Sequence, residues 1–124
     1  MTEVGRERLA NGLEIVFTDA SNRYFGDYHR LRIEVTLQLT LPEDDPDGDG
    51  FWLAARRLLG TRFRQVRTLE RMGVPSAEVT ATRQQLIDSY LQSTAAYLAR
   101  PEALRALIAG ELDRRGRAGG PRYG

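Results

Sequence analysis

The clearest pattern along the chain is a strict alternation of apolar and polar residues between positions 30 and 41. The odd positions are all apolar: Leu31, Ile33, Val35, Leu37, Leu39 and Leu41. The even positions are all polar: Arg30, Arg32, Glu34, Thr36, Gln38 and Thr40. A period of two predicts a β-strand with one buried and one solvent-facing side. We expect this strand to run from Tyr28 to Leu41, where Pro42 ends it.

Two shorter strands are predicted near the N-terminus. Asn11-Gly12 favours a tight hairpin turn, because both residues tolerate the positive φ that such turns require. The residues that follow, Leu13 to Thr18, have the composition of a strand, and Arg6 to Leu9 would pair with them. The segment from Asp19 to Asp27 is rich in Ser, Asn, Gly and Asp and is typical of a surface loop.

Three helices are predicted further along the chain. The residues from Phe51 to Leu59 have the spacing of a short helix. Ser76 is a good N-cap for a long amphipathic helix over residues 76–98. Pro101 is well placed to begin a second long helix, because its fixed φ suits the first helical position.

The segment between residues 62 and 72 fits two structures. Phe63, Val66 and Leu69 have helical spacing, but the stretch that contains them also has the composition of a strand. We favour the strand, because Gly60 separates it from the preceding helix and Pro75 follows closely.

These elements predict an α+β fold, namely a mainly antiparallel sheet of about four strands with two to three helices packed on one face. Helices are needed there because the apolar side of the long strand must be covered. Residues 1–113 are predicted to form a single α+β domain. The remaining residues, 114–124, are rich in Arg and Gly and are expected to be a disordered tail.

The composition excludes several classes of mechanism. The chain has no Cys, and all 18 of its basic residues are Arg. Thiolate nucleophiles, Cys-ligated metals, Schiff bases and the Lys of phosphate-binding loops are therefore excluded. His29 is the only histidine, so a site with several His ligands from one chain is excluded too. We predict no cofactor and no metal site, and we assign no catalytic residue.

Composition also bears on location. The N-terminal residues have no apolar signal segment, and no apolar run is long enough to cross a bilayer. With no Cys, a cytoplasmic protein without membrane contact is expected. The second half of the chain is mildly basic, which is weaker than the usual footprint of a nucleic-acid-binding protein.

The loop between residues 43 and 50 is strongly acidic. Asp45, Asp47 and Asp49, followed by Gly50, match the first positions of a calcium-binding loop. The match fails at the twelfth position, where Arg56 stands in place of a bidentate carboxylate. A solvated acidic turn is the better interpretation, and cation binding by this loop stays open.

Binding groups are densest at the start of the long strand, which makes Tyr24, Asp27, His29 and Arg30 candidate binding residues. In the functional interpretation, His29 exchanges a proton beside Asp27 in a polar pocket. In the structural interpretation, which we favour, His29 is hydrogen-bonded at the edge of the sheet and Asp27 stabilises the turn.

Several short motifs resemble those of a group of short, uncharacterised bacterial proteins: Leu9-Ala-Asn-Gly-Leu13, Asp19-x-Ser21-Asn-Arg23, Gly26-Asp-x-x-Arg30, Leu69-Glu-Arg71 and Tyr97-Leu-x-x-Pro101. The resemblance spans most of residues 8–108. It implies a stable fold. Since that group has no known activity, it implies no function and no site residues.

Three functional hypotheses follow. The leading one is a non-enzymatic protein-interaction or regulatory module that binds a protein partner or a second copy of itself. The second is a small-ligand binder or enzyme that uses Asp27, His29 and Arg30. The third is a nucleic-acid-binding protein that uses the arginine-rich second half, although the weak charge asymmetry disfavours it.

Overall fold

Five antiparallel strands form one sheet: β1 (Thr2–Arg8), β2 (Glu14–Asp19), β3 (Asn22–Phe25), β4 (Tyr28–Thr40) and β5 (Arg62–Pro75). The computed structural model describes residues 1–119, apart from the side chains of Tyr24 and residues 117–119. β4 is the central strand. β5 pairs with it along nearly its whole length, so β2 and β3 share the opposite edge of β4, and β1 pairs with β2.

Within residues 1–119, four helices accompany the sheet: α1 (Phe51–Leu59), α2 (Val79–Tyr90), α3 (Ala96–Leu98) and α4 (Pro101–Gly119). A 3₁₀ turn (Ser76–Glu78) precedes α2, and a π-helical turn (Leu91–Ala95) joins α2 to α3. The predicted helix over residues 76–98 is therefore present, with a wider turn inside it.

The core lies between the helices and one face of the sheet, which we call the inner face. The odd residues of β4 from Leu31 to Leu39 point to this face and are buried, as their alternation predicts. They pack with α2 and α4 through residues such as Ile87 and Ile108. Phe17 of β2 contacts Tyr90 of α2 edge to face, with ring centroids 5.8 Å apart. The α+β fold predicted from the sequence is confirmed.

The segment between residues 62 and 72 is a strand, as we favoured, and it extends to Pro75. Its extra length depends on a bulge. Leu31 pairs with Arg71 and His29 pairs with Val74, so two residues of β5 face one residue of β4. Gly73 lies in this bulge with φ of 69°, a conformation that glycine adopts without a Cβ penalty.

The interpretation of Asp19 to Asp27 as an irregular loop is wrong, because the segment contains β3. Its polar composition hides a hairpin in which Asn22 pairs with Arg30 and Phe25 with Tyr28. Gly26, with φ of 53°, allows the tight reversal between β3 and β4. Pairing with β4 supplies the hydrogen bonds that the local sequence does not predict.

The last helix crosses the boundary that we predicted between domain and tail. α4 continues to Gly119, whereas a disordered tail was expected from residue 114. Glu111 forms ion pairs with Arg114 and Arg115, one helical turn away, which favours helix in this stretch. Residues 120–124 lie outside the described part of the chain.

Candidate functional site

The acidic loop is organised by hydrogen bonds to its own backbone. Oδ2 of Asp45 accepts the Gly50 N–H at 2.9 Å, and Oδ1 of Asp49 accepts the Phe51 N–H at 3.1 Å. These bonds satisfy amide groups at the start of α1. The loop therefore acts as the N-terminal cap of that helix.

Two further carboxylate oxygens of the loop, Oδ2 of Asp47 and Oδ2 of Asp49, bind a cation that the chain supplies itself, the guanidinium of Arg105 on α4. Arg105 donates Nη1 to Asp47 and Nη2 to Asp49, the latter at 2.9 Å. Its Cζ lies 4.2 Å from the centroid of the Phe51 ring, within cation–π range. Asp47 also accepts the indole N–H of Trp52 at 2.8 Å.

The electrostatics of the loop follow from these contacts. The hydrogen bond from Trp52 and that from Arg105 hold the pKa of Asp47 below its ordinary value. Arg105 likewise lowers the pKa of Asp49. Within residues 1–119, no group of three or more His, Asp or Glu side chains is arranged to hold a metal ion. The structure therefore supports a turn in which Asp47 and Asp49 are paired with a cation from the same chain.

The predicted binding residues at the start of β4 contact different partners. Arg30 donates Nε and Nη2 to the carboxylate of Glu70 on β5, at 2.8 and 3.2 Å. Nε2 of His29 lies 2.8 Å from Oγ of Ser76, at the entrance to α2. Hydrogen bonding by Ser76 lowers the pKa of Asp27. The side chain of Tyr24 lies outside the described residues.

A serine hydroxyl beside an imidazole is half of a nucleophile–base arrangement. The other half is not formed here, since no described carboxylate bonds to the second ring nitrogen of His29. Oγ of Ser76 also lies 3.3 Å from the carbonyl oxygen of Asp27, and the Ser76 amide donates to the same carbonyl at 3.0 Å. These contacts tie the end of the sheet to α2. A binding role for Asp27, His29 and Arg30 stays a prediction.

Among the described residues, the longest strand edge without a paired neighbour is that of β5. Within residues 1–119, β5 pairs with β4 on one side and with no strand on the other. Side chains along it are exposed, including Val66 at 41% and Met72 at 54%. A strand edge with free N–H and C=O groups is a template for pairing with another chain.

This edge also carries positive charge that the chain does not neutralise. β5 contains Arg62, Arg64, Arg67 and Arg71, and among the described residues none of them forms an ion pair. The one acidic residue of β5, Glu70, is already paired with Arg30. Nε of Arg67 donates to the neutral oxygen of Gln65 at 3.0 Å.

An open groove runs beside this edge, between the inner face of β5 and the helices. We call it the β5 groove and define it by six of its lining residues: Gln65, Arg67, Tyr97, Ala106, Leu107 and Gly110. Its volume is about 440 Å³. Where the inner face of β4 is fully buried, the same face of β5 carries the exposed side chain of Arg67.

The two sides of the groove differ in character. The helical side combines small residues of α4, Ala106 and Gly110, with the half-exposed ring of Tyr97. Just behind Arg67, the hydroxyl of Tyr90 is fully buried and meets no hydrogen-bond partner of good geometry. Burial raises the pKa of Tyr90, and the positive charge of Arg67 opposes that rise. Thr94, in the π-helical turn, also lines the groove.

No family model, curated protein or solved structure gives a significant match to this chain. The resemblance to short bacterial proteins therefore stays a prediction. In the part of the chain that the structure describes, no helix has both the length and the apolar character needed to cross a bilayer.

Sequence reasoning missed both the β5 groove and the partner of His29. Ser76 lies 47 positions from His29 along the chain, so no local spacing could join them. The sequence contained one weak indication of the groove. Gly110, a poor helix former, interrupts a segment whose other residues mostly favour helix. A glycine inside a helix often has a packing or functional reason, because it makes the helix less stable than alanine would.

Proposed function

We propose that this protein is a non-enzymatic interaction module that binds a protein partner in the β5 groove. The observation that carries the proposal is the groove itself, an open and partly apolar trough beside an unpaired strand edge. Monomeric proteins rarely leave such an edge bare unless it is short or protected. β5 has 14 residues, so it is not short.

The lining of the groove favours binding over catalysis. In the described part of the chain it includes no carboxylate and no imidazole, which are the usual general acids and bases. It offers instead an aromatic ring, two arginines and aliphatic residues. Tyr and Arg are enriched at the energetically important positions of protein interfaces. This composition supports a contact surface rather than a reaction site.

A second copy of the chain is the alternative partner. It would have to bring its own arginines against those of the first copy if the two β5 edges met. Like charges directly opposite one another destabilise paired strands. We therefore propose a different protein as the partner, and light scattering of the pure protein tests the homodimer directly.

Two glycines of α4 provide the test. A Cβ added at Gly110 or at Gly116 meets no atom within 4 Å, so both positions accept a side chain. Gly110 lines the groove and Gly116 does not. The Gly110→Leu variant should fill the groove, whereas Gly116→Leu is the matched control on the same helix. Both changes should stabilise the helix slightly, by roughly 0.5–1 kcal/mol, because glycine is a poor helix former.

The experiment is affinity purification of the tagged wild-type protein and both variants from the cells that encode it, with and without nuclease. Quantitative mass spectrometry then compares the bound proteins. We expect a protein that remains after nuclease treatment, remains with Gly116→Leu and is lost with Gly110→Leu. Equal retention by both variants contradicts the proposal. Loss of all bound proteins on nuclease treatment would favour nucleic-acid binding instead.

A further inference from the structure

We infer that the partner contributes an acidic, extended segment that pairs with the free edge of β5 as an added strand. The inference rests on the proposed function, because it names the chemistry of the segment that the groove binds. Three features of β5 support it: the direction of its backbone groups, its unneutralised charge and the position of the groove.

The backbone register shows which amides of β5 face outward. The N–H of Leu41 donates to the carbonyl of Thr61 at 2.9 Å, just beyond the last registered pair of β4 and β5. In an antiparallel pair, hydrogen-bonded positions alternate. The odd residues from Phe63 to Leu69 therefore bond to β4, and the even residues Arg64, Val66 and Thr68 direct their N–H and C=O groups to the free edge.

The hydrogen bonds on the opposite edge of β4 lead to the same assignment of outward-facing residues. The N–H of Ala20 donates to the carbonyl of Arg32 at 2.8 Å, so the even residues of β4 bond towards β2. The odd residues of β4 must then bond towards β5. Two independent hydrogen bonds thus agree that Val66 and Thr68 present free backbone groups to a partner.

The charge of β5 selects the partner. Arg62 and Arg64 lie on the outer face of the strand, and Arg67 and Arg71 lie on the inner face. None of them has an acidic partner within residues 1–119. An added strand whose outward-facing side chains are acidic would neutralise Arg62 and Arg64, and opposite charges across neighbouring strands stabilise the pairing. A basic strand, including β5 of a second copy of the chain, would be repelled by these arginines.

The groove also constrains the sequence of the added strand, in which apolar and acidic residues should alternate. Successive side chains of an added strand point to opposite faces of the sheet. Those on the inner face would lie over Tyr97, Leu107 and Gly110, where apolar groups are favoured. Those on the outer face would lie beside Arg62 and Arg64, where carboxylates are favoured. The expected segment therefore alternates apolar and acidic residues.

A synthetic peptide tests the inference without knowledge of the natural partner. The probe is a fluorescein-labelled peptide in which Glu-Val is repeated five times, and the control peptide has Lys in place of each Glu. Binding is followed by fluorescence anisotropy at neutral pH. We expect saturable binding of the Glu-Val peptide, at least tenfold weaker binding of the Lys-Val peptide, and weaker binding at higher salt because the ion pairs are exposed.

Substitution at Thr68 tests the backbone hydrogen bonds. Thr68→Pro removes an outward N–H and leaves the bonds to β4, as proline is tolerated when its nitrogen faces away from the neighbouring strand. Thr68→Val keeps the N–H and is the matched control. We expect the Glu-Val peptide to bind Thr68→Pro at least tenfold more weakly than Thr68→Val.

Hydrogen exchange of the wild-type protein provides a readout that needs no variant. The amides of Val66 and Thr68 should exchange quickly in the free protein and slowly with the Glu-Val peptide bound. Absence of saturable peptide binding below about 1 mM, a weak affinity by any standard, overturns the inference. Unchanged exchange at these two amides also overturns it.

The two proposals fail in different ways. If the cellular partner is lost with Gly110→Leu but binds Thr68→Pro as well as Thr68→Val, the groove is an interaction site and the added strand is wrong. If Gly110→Leu retains every cellular partner, the interaction module itself is wrong. Tight binding of the Lys-Val peptide would overturn only the acidic character of the segment.

Discussion

The acidic loop and β5 each concentrate charge of one sign, and they differ in how that charge is balanced. In the loop, Asp47 and Asp49 bind the guanidinium of Arg105, which the chain supplies from 58 and 56 positions away. On β5, the arginines have no acidic partner among the described residues. Asp47 and Asp49 are thus paired within the fold, whereas the arginines of β5 form no ion pair with a described residue.

The difference separates structural charge from charge that is available for binding. A cation placed among carboxylates and over an aromatic ring holds α4 against the start of α1. Such groups are already hydrogen-bonded and offer little to a ligand. Arginines that line a strand edge and groove are free to pair with a partner. The sequence favoured a solvated acidic turn for the loop, and in the structure two of its carboxylates are paired with Arg105, whereas the β5 arginines form no ion pair with a described residue.

The largest effect should come from breaking the anchor of the acidic loop. The Trp52 side chain is 7% exposed and joins Asp47 to the core. We expect Trp52→Ala to lower the free energy of unfolding by about 3–5 kcal/mol, because it removes a large buried ring and leaves a cavity. Urea unfolding followed by circular dichroism measures this change.

Leu53 provides the control for that experiment. It follows Trp52 in α1, but its side chain is 46% exposed. Leu53→Ala should therefore have a much smaller effect on unfolding, since little apolar surface is removed from the core. Equal effects of the two substitutions would mean that the loop and α1 are not anchored through Trp52.

Lowering the pH should have a smaller effect on the stability of the fold. Asp47 and Asp49 have pKa values below the ordinary value of about 3.9 for an unfolded chain. The unfolded state therefore binds more protons in this range, and stability rises with pH. The contribution of these ion pairs is fully present above about pH 4 and is lost as pH falls through the folded pKa values.

Arg105→Gln should reduce this pH dependence. The substitution keeps a polar side chain on α4 and removes the charge that lowers the pKa of Asp49 and contributes to that of Asp47. The wild-type protein and the variant are compared by thermal unfolding between pH 3 and pH 7. Their melting temperatures should differ near neutral pH and converge as the pH falls. A difference that stays constant across the range would show that Arg105 acts by packing alone.

The sequence predicted those parts of the fold in which local pattern and final environment agree. Leu31 to Leu39 alternate because one face of β4 is buried, and α1 begins and ends at the residues that its spacing indicated. β3 was missed because its four polar and aromatic residues form a strand only through pairing with β4. Propensity is a weak guide where pairing decides the structure.

The candidate site was harder to predict because its parts are distant in sequence. Arg67 and Gly110 lie on different elements and line one groove only after the helices pack on the sheet. That Arg67 has no acidic partner among the described residues is likewise a property of the folded molecule. Polar and aromatic residues are dense near Asp27 and His29 in the sequence, but in the structure His29 contacts Ser76 whereas Arg30 pairs with Glu70.

The smallest effect on stability is expected from the outer face of β5. Arg64 is exposed and forms no ion pair with any described residue. Arg64→Gln should change the free energy of unfolding by no more than about 0.5 kcal/mol, as is usual for surface positions without specific contacts.

The same variant should bind the Glu-Val peptide more weakly and with a smaller dependence on salt, because one ion pair fewer is formed. If removal of this charge weakens binding but not folding, the charge of Arg64 contributes to binding and not to stability. If Arg64→Gln instead destabilises the fold and leaves peptide binding unchanged, β5 resembles the acidic loop and the contrast between the two regions disappears.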